Sequence, residues 1–215
     1  MFKTSERRNY SAEMNVKVVH NGRDAIIDYL ANMDENLTET HIINDLEYLV
    51  LHGADIKMRD KDGACPLHFA AHKNKNVELT KFLVNHGDDV HARDNNGSTP
   101  LHFAAMKNRD IEVSQFLVSC GADVKTADNN GWTPLHRAAW GENAEVVKFL
   151  VAQGADIHAT DNNGWTPLHR AARMNKDIEI IKFFIDNGAD WNVKNKEGKT
   201  PNDMARQNPN LLLEI

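Results

Sequence analysis

The chain has 215 residues and a formal net charge of −6 at pH 7, with its lysines and arginines spread along its length. This charge argues against a general binder of nucleic-acid phosphates, because such a protein presents a basic face. No apolar run approaches the roughly 18 residues of a membrane-spanning helix, and the charged residues 1–8 are not followed by the apolar stretch of a secretory signal. The two cysteines, Cys65 and Cys120, predict no disulfide framework and suit a reducing compartment.

The chain begins with a charged segment and a first pair of helices. Residues 1–21 show little hydrophobic periodicity, and we predict a weakly ordered tail there. Apolar residues recur at helical spacing in 24–30 and again in 41–51, where the second run leads into Gly53-Ala54-Asp55. Related endings follow at Gly87, Gly121, Gly154 and Gly188. We therefore predict a first repeat unit at about 22–59, divergent because its outer face meets water and not a neighbouring unit.

A nine-residue segment then recurs along the chain. Its full copies begin at Gly63, Gly97, Gly131 and Gly164, and a degenerate copy begins at Gly198. These glycines are 34, 34, 33 and 34 residues apart, and a fixed period of this length is the mark of a stacked repeat protein. The corresponding units are predicted at about 60–93, 94–127, 128–160 and 161–194, with a partial cap at 195–215.

The unit that begins near residue 94 indicates how each repeat folds. Thr99 before Pro100 predicts a helix start, because the hydroxyl caps free amide groups and proline loses nothing at the first helical position. A second helix, with Leu117 facing inward, ends at Gly121, where positive φ favours glycine. The turn-forming residues 128–131 then reverse the chain. The predicted unit is a helix, a turn, a second helix and a protruding hairpin or loop.

This pattern closely resembles the ankyrin repeat family. The resemblance rests on four (Thr/Cys)-Pro-Leu-His-x-Ala-Ala segments and five Gly-(Ala/Asp)-Asp endings, and it covers residues 22 to roughly 206. It implies an all-α solenoid of about five to six repeats, including divergent terminal caps. It also implies that the recurring histidine bridges backbone groups within and between units. The residues assigned this structural role are Thr99, Pro100, His102, Thr133, Pro134, His136, Thr166, Pro167 and His169.

No set of residues predicts catalysis. A metal site is the alternative for the histidine ladder, but successive imidazoles about 10 Å apart are too far apart to share an ion with ligands at about 2.0–2.3 Å. Gly198-Lys199-Thr200 ends like a phosphate-binding loop, yet Val193 stands where that motif requires glycine. Asp94, Asp128 and Asp161 share one hairpin position and are interpreted as turn-formers. We expect no catalytic residue, no cofactor and no metal.

Partners of ankyrin proteins usually bind a concave groove made of hairpin tips and the exposed side of the first helices. Mapped onto this sequence, that surface contains three of the four tryptophans, and tryptophan and arginine dominate many interfaces. The predicted partner-binding residues are Trp132, Trp140, Trp165, Arg137, Arg170, Met106, Lys107, Arg173 and Met174. The alternative for Trp132 and Trp165 is stacking on neighbouring hairpins, and Trp191 is expected in the core.

The resemblance also draws attention to His91, His158 and Asn192, which occupy a hairpin position that an asparaginyl hydroxylase can modify in this family. A plain hairpin hydrogen bond is the favoured interpretation of all three.

Together these patterns predict a non-catalytic, monomeric scaffold that binds a partner protein on the groove and hairpin tips, in the cytoplasm or nucleus. Neither nucleic acid nor membrane is expected as a partner. The alternative is a targeting arm of a larger effector or enzyme, for example a host-directed effector of an intracellular bacterium or virus, acting in the host cytoplasm. The shortness of the last predicted helix leaves this alternative open.

Overall fold

The computed structural model describes residues 25–32, 38–73, 77–107, 111–141, 143–174 and 178–209. The predicted tail at 1–21 and the end of the partial cap, 210–215, lie outside the described residues. Within these residues the structure is helical and contains no β-strand. The helices are α1 (Ala25–Asn32), α2 (Glu39–Leu51), α3 (Pro66–Lys73), α4 (Val77–Asn85), α5 (Pro100–Lys107), α6 (Ile111–Ser119), α7 (Pro134–Trp140), α8 (Ala144–Ala152), α9 (Pro167–Met174), α10 (Ile178–Asp186) and α11 (Pro201–Ala205).

The first helices α5, α7, α9 and α11 start at the predicted threonine–proline pairs. At α7 the Thr133 hydroxyl accepts a hydrogen bond from the backbone N–H of His136, and the Thr133 N–H donates to His136 Nδ1 at 3.2 Å. At α11 the same reciprocal cap joins Thr200 and Asp203. Two of the free amide groups at each helix start are satisfied in this way.

The helices stack in two parallel layers. The first helices α1, α3, α5, α7, α9 and α11 pack in sequence, and the second helices α2, α4, α6, α8 and α10 pack in sequence behind them. The leucine that follows each proline is fully buried between the layers, as at Leu101 and Leu135. Adjacent first helices approach closely where α7 ends: a Cβ placed on Gly141 would lie 2.0 Å from the Met106 carbonyl oxygen of the preceding unit.

The loop between units is a tight turn that ladders onto its neighbours. Gly121 ends α6 with φ of 96°, and the Asp128 N–H then donates to the Trp132 carbonyl at 2.7 Å to close the turn. The Asn129 N–H donates to the Asn96 carbonyl of the preceding turn at 2.9 Å. Equivalent bonds link the other turns, so the tips form one hydrogen-bonded row along the stack.

The predicted all-α repeat solenoid is confirmed. Each predicted unit from 22–59 to 161–194 contains one helix of each layer, and α11 lies in the predicted partial cap. The exact unit boundaries stay predictions. Trp191 is partly buried against the core, in the position expected for it.

Candidate protein-interaction surface

The recurring histidine joins the start of its own helix to the next unit. His136 is fully buried; its Nδ1 accepts from the Thr133 N–H, and its Nε2 lies 2.9 Å from the Trp165 carbonyl of the following unit. Because Nδ1 accepts a hydrogen bond, the ring proton resides on Nε2, which donates to that carbonyl. The same bridge recurs from His68 to Ser98, from His102 to Trp132 and from His169 to Lys199.

Burial holds these imidazoles in the neutral form. Desolvation lowers the pKa of His102 and of His136 to about 4, since burial penalises the charged ring. Both ring nitrogens are already occupied by hydrogen bonds to the protein. In the described part of the chain, no three histidine, cysteine, aspartate or glutamate residues are grouped in a way that could hold a metal ion.

One unit carries a variant of this cap. Cys65 takes the place of threonine, and its Sγ lies 3.0 Å from His68 Nδ1. Asp88, in place of the alanine found at 122, 155 and 189, accepts a hydrogen bond from the Leu67 N–H at 2.8 Å. The sequence analysis did not predict that Cys65 and Asp88 lie together. The signal for it was that both residues depart from the repeat pattern within the same unit.

The Cys65, His68 and Asp88 cluster has the residue types of a nucleophilic triad but the opposite electrostatics. Burial, with the nearby Asp88 carboxylate, raises the pKa of the Cys65 thiol to about 12. Burial also lowers the pKa of His68. A reactive cysteine needs a stabilised thiolate beside a cation, so this arrangement favours the neutral thiol and serves as a helix cap.

Two turn aspartates also hold arginines. Asp128 Oδ1 accepts the backbone N–H groups of Asn130 and Trp132, at 2.8 and 2.9 Å, as expected for a turn-former. Its Oδ2 forms an ion pair with Arg137 at 2.8 Å. Asp161 and Arg170 form the equivalent pair in the next unit. Sequence reasoning did not connect these carboxylates to the arginines, which lie nine positions further along the chain.

The paired arginines stack on the tryptophans to form what we call the Trp–Arg ladder, in the order Arg137, Trp132, Arg170, Trp165, Arg173. The guanidinium carbons of Arg137 and Arg170 lie 4.6 and 4.0 Å from the Trp132 ring centroid. Arg170 also lies 4.4 Å from the Trp165 centroid, and Arg173 lies 5.2 Å from it on the ladder's end. Each contact is a cation–π interaction, and the step from Trp132 to Arg170 crosses between units.

The structure brings most of the predicted partner-binding residues together. Trp140 meets Trp132 edge to face with centroids 5.8 Å apart, and Arg137 Nη1 lies 3.9 Å from the Met106 sulfur. Trp140 is 38% exposed and Met174 45% exposed, and Arg173 is exposed as well. The side chain of Lys107 lies outside the described part of the chain.

The prediction of Trp165 as a direct anchor requires correction. Trp165 is only 5% exposed, because its ring is covered by Arg170 and Arg173. Trp132 is half-buried between two arginines. Neither ring stacks on a neighbouring hairpin in the contacts of the described residues, and Trp140 is the tryptophan that faces solvent most openly.

Two layers of stacked helices, joined by laddered turns, define a helical repeat solenoid. A family model whose description is "Ankyrin repeats (3 copies)" matches the chain in four overlapping ranges, 16–128, 89–161, 109–195 and 153–210. The chain belongs to the ankyrin repeat family. Ankyrin repeats are generally protein-interaction modules, and the family is typically non-catalytic. A search of curated proteins found no match to the chain. Among the described helices, none has the length and apolar character needed to cross a membrane.

Proposed function

We propose that this chain is a non-catalytic scaffold that binds a protein partner at the ends of its first helices, beside the Trp–Arg ladder. One observation carries the proposal. Four large hydrophobic residues are exposed in the described part of the chain: Leu51 and Ile185 lie on second-layer helices, whereas Trp140 and Met174 end the neighbouring first helices α7 and α9. Clustered exposed apolar residues beside stacked tryptophan and arginine are typical of a binding surface.

The surface is held in place before a partner arrives. Asp128 and Asp161 fix the arginines, the arginines fix the tryptophan rings, and the turn tips are joined in a hydrogen-bonded row. A surface that is already ordered loses little conformational entropy on binding, which supports affinity. The free cysteines Cys65 and Cys120 support our further proposal of a reducing location, the cytoplasm or nucleus.

The test removes exposed hydrophobic side chains from each layer in turn. Peptides selected from a random displayed library on the unaltered protein serve as probes, and their affinities are measured for W140A, for M174A and for the control I185A. Ile185 is 42% exposed but lies on α10, in the second layer. We expect W140A to weaken binding at least tenfold and I185A less than twofold.

Equal affinities for W140A and the unaltered protein, with circular dichroism showing both folded, would contradict the proposal. The alternative of a targeting arm of a larger effector or enzyme relies on the same surface, so these variants test its binding step as well.

A further inference from the structure

The Trp–Arg ladder has one exposed positive end, at Arg173, although the chain is acidic overall. The side chains of Arg137 and Arg170 are 21% and 15% exposed, whereas their partners Asp128 and Asp161 are 0% exposed. Arg137 and Arg170 are therefore largely buried as well as paired, and Arg173 is the exposed arginine of the ladder. The formal net charge of −6 makes this local charge unusual for the surface as a whole.

Within the described residues, the exposed end of the ladder lacks a counter-charge. No carboxylate of the described residues forms an ion pair with Arg173. Its guanidinium stacks on Trp165, and a stacked guanidinium is held by its face, with the N–H groups at its edge left available for an acceptor. Carboxylates match this planar fork with two parallel hydrogen bonds.

Apolar groups adjoin this charge. Arg173 is followed in α9 by Met174, and the position equivalent to Arg173 in the preceding helix α7 is Trp140. Both large side chains are exposed. A ligand that satisfies this surface needs a carboxylate for the guanidinium and a hydrophobic side chain for the indole and thioether.

We propose that the partner is an acidic protein segment that carries a large hydrophobic side chain near its carboxylates. A carboxylate of the segment pairs with Arg173, and the hydrophobic side chain packs against Trp140 and Met174. This inference rests on the proposed function and adds the chemistry of the partner. Complementary charge of this kind selects partners and accelerates their association.

A nucleic acid fits the surface less well. Phosphate-backbone binding requires several cations that each neutralise a phosphate, whereas Arg137 and Arg170 are already paired and the remaining charge of the chain repels a polyanion. A short acidic segment needs one unpaired arginine and an apolar contact, both of which are present.

The experiment is a charge reversal. A random peptide library is selected separately on the unaltered protein, on R173E and on the control K148E. Lys148 is exposed on α8 in the second layer, 3.0 Å from Glu145, so its reversal changes the net charge equally at another face. We expect peptides selected on the unaltered protein and on K148E to be enriched in aspartate and glutamate beside aromatic or aliphatic residues, and those selected on R173E to be enriched in lysine and arginine.

Affinities of the acidic peptides complete the test. R173E should weaken them at least tenfold, R173A should weaken them less, and K148E should change them less than twofold, with circular dichroism showing each variant folded. Added salt should weaken binding to the unaltered protein and leave binding to R173A nearly unchanged. Tighter binding of a single-stranded oligothymidylate, or of vesicles containing anionic lipid, than of the acidic peptides would overturn the inference.

The outcomes separate the two proposals. Peptides that depend on Trp140 but show no acidic enrichment would refute the acidic segment and leave the binding surface standing. Peptides whose affinity is indifferent to both W140A and R173E would refute both.

Discussion

The helix cap at the start of α3, formed with Cys65 and Asp88 in place of threonine and alanine, allows a direct test of how the repeats are stabilised. Three units combine a threonine before the proline with an alanine at positions 122, 155 and 189, and one combines Cys65 with Asp88. The Asp88 carboxylate accepts a hydrogen bond from the Leu67 N–H at 2.8 Å. We predict that D88A destabilises the protein and that C65T, by restoring the common pair of threonine and alanine, recovers most of the loss.

The magnitude follows from the bonds that are removed. A hydrogen bond to a charged acceptor contributes about 1.5–3 kcal/mol, and a threonine helix cap contributes about 1 kcal/mol. Burial raises the pKa of Asp88, which shows that the carboxylate is held at a desolvation cost and reduces the net loss. We therefore expect D88A to lower the free energy of unfolding by about 2 kcal/mol and the double variant C65T/D88A by less than about 1 kcal/mol.

Urea denaturation followed by circular dichroism measures each step, and D88N serves as the matched control. Its amide oxygen can still accept the Leu67 N–H without a charge, so D88N should cost less than D88A. The four proteins of the C65T and D88A cycle give a coupling energy directly. A double variant whose loss equals the sum of the two single losses would refute the idea that Asp88 substitutes for the threonine cap.

Three further predictions concern packing, protons and thiols. G141A should lower the free energy of unfolding by about 2–3 kcal/mol, seen as a lower melting temperature, because its Cβ would lie 2.0 Å from a carbonyl oxygen of the preceding unit; an unchanged melting temperature would contradict the close approach. The unfolded chain binds protons at His102 and His136 near pH 6.5, whereas their folded pKa is about 4. Stability present above pH 6.5 should therefore be lost as pH falls, by about 2 kcal/mol for each histidine at pH 5, and a urea midpoint constant from pH 7 to 5 would disprove this. In the folded protein a thiol reagent should modify the half-buried Cys120 before Cys65, which is 2% exposed with a pKa of about 12; equal rates measured by mass spectrometry would count against the buried cap.

The repeat fold of this protein was predictable from the sequence because each residue of the recurring segments has one structural role. Threonine before proline predicts a helix start, and Thr133 forms that cap. Glycine after a second helix predicts positive φ, and Gly121 has φ of 96°. These features depend on residues within one unit, and the fixed period repeats them along the chain.

The ladder was only partly predictable, because its contacts join residues of different units. The sequence placed Trp132 and Arg170 on one surface but did not indicate that they stack, since they lie 38 positions apart (170 minus 132). The burial of Trp165 was missed for a different reason: its cover consists of arginine side chains of its own unit, which a hydrophobic pattern assigns to the surface. A pattern that only divides residues into apolar and polar does not predict that the aliphatic part of an arginine covers an apolar ring.

At one position of the repeat, the residue after the turn glycine, the backbone serves the fold while the side chain varies. The residue after the turn glycine uses its backbone for the frame: the Trp132 N–H donates to Asp128, and its carbonyl accepts from His102. Ser98 and Lys199 provide the same carbonyl to the histidines of their neighbouring units. Because serine, tryptophan and lysine all serve, the fold places no demand on this side chain. A position whose backbone is fixed while its side chain varies can carry different surfaces on one fold. Here Trp132 and Trp165 use it to stack with arginines, and Trp165 becomes part of the core.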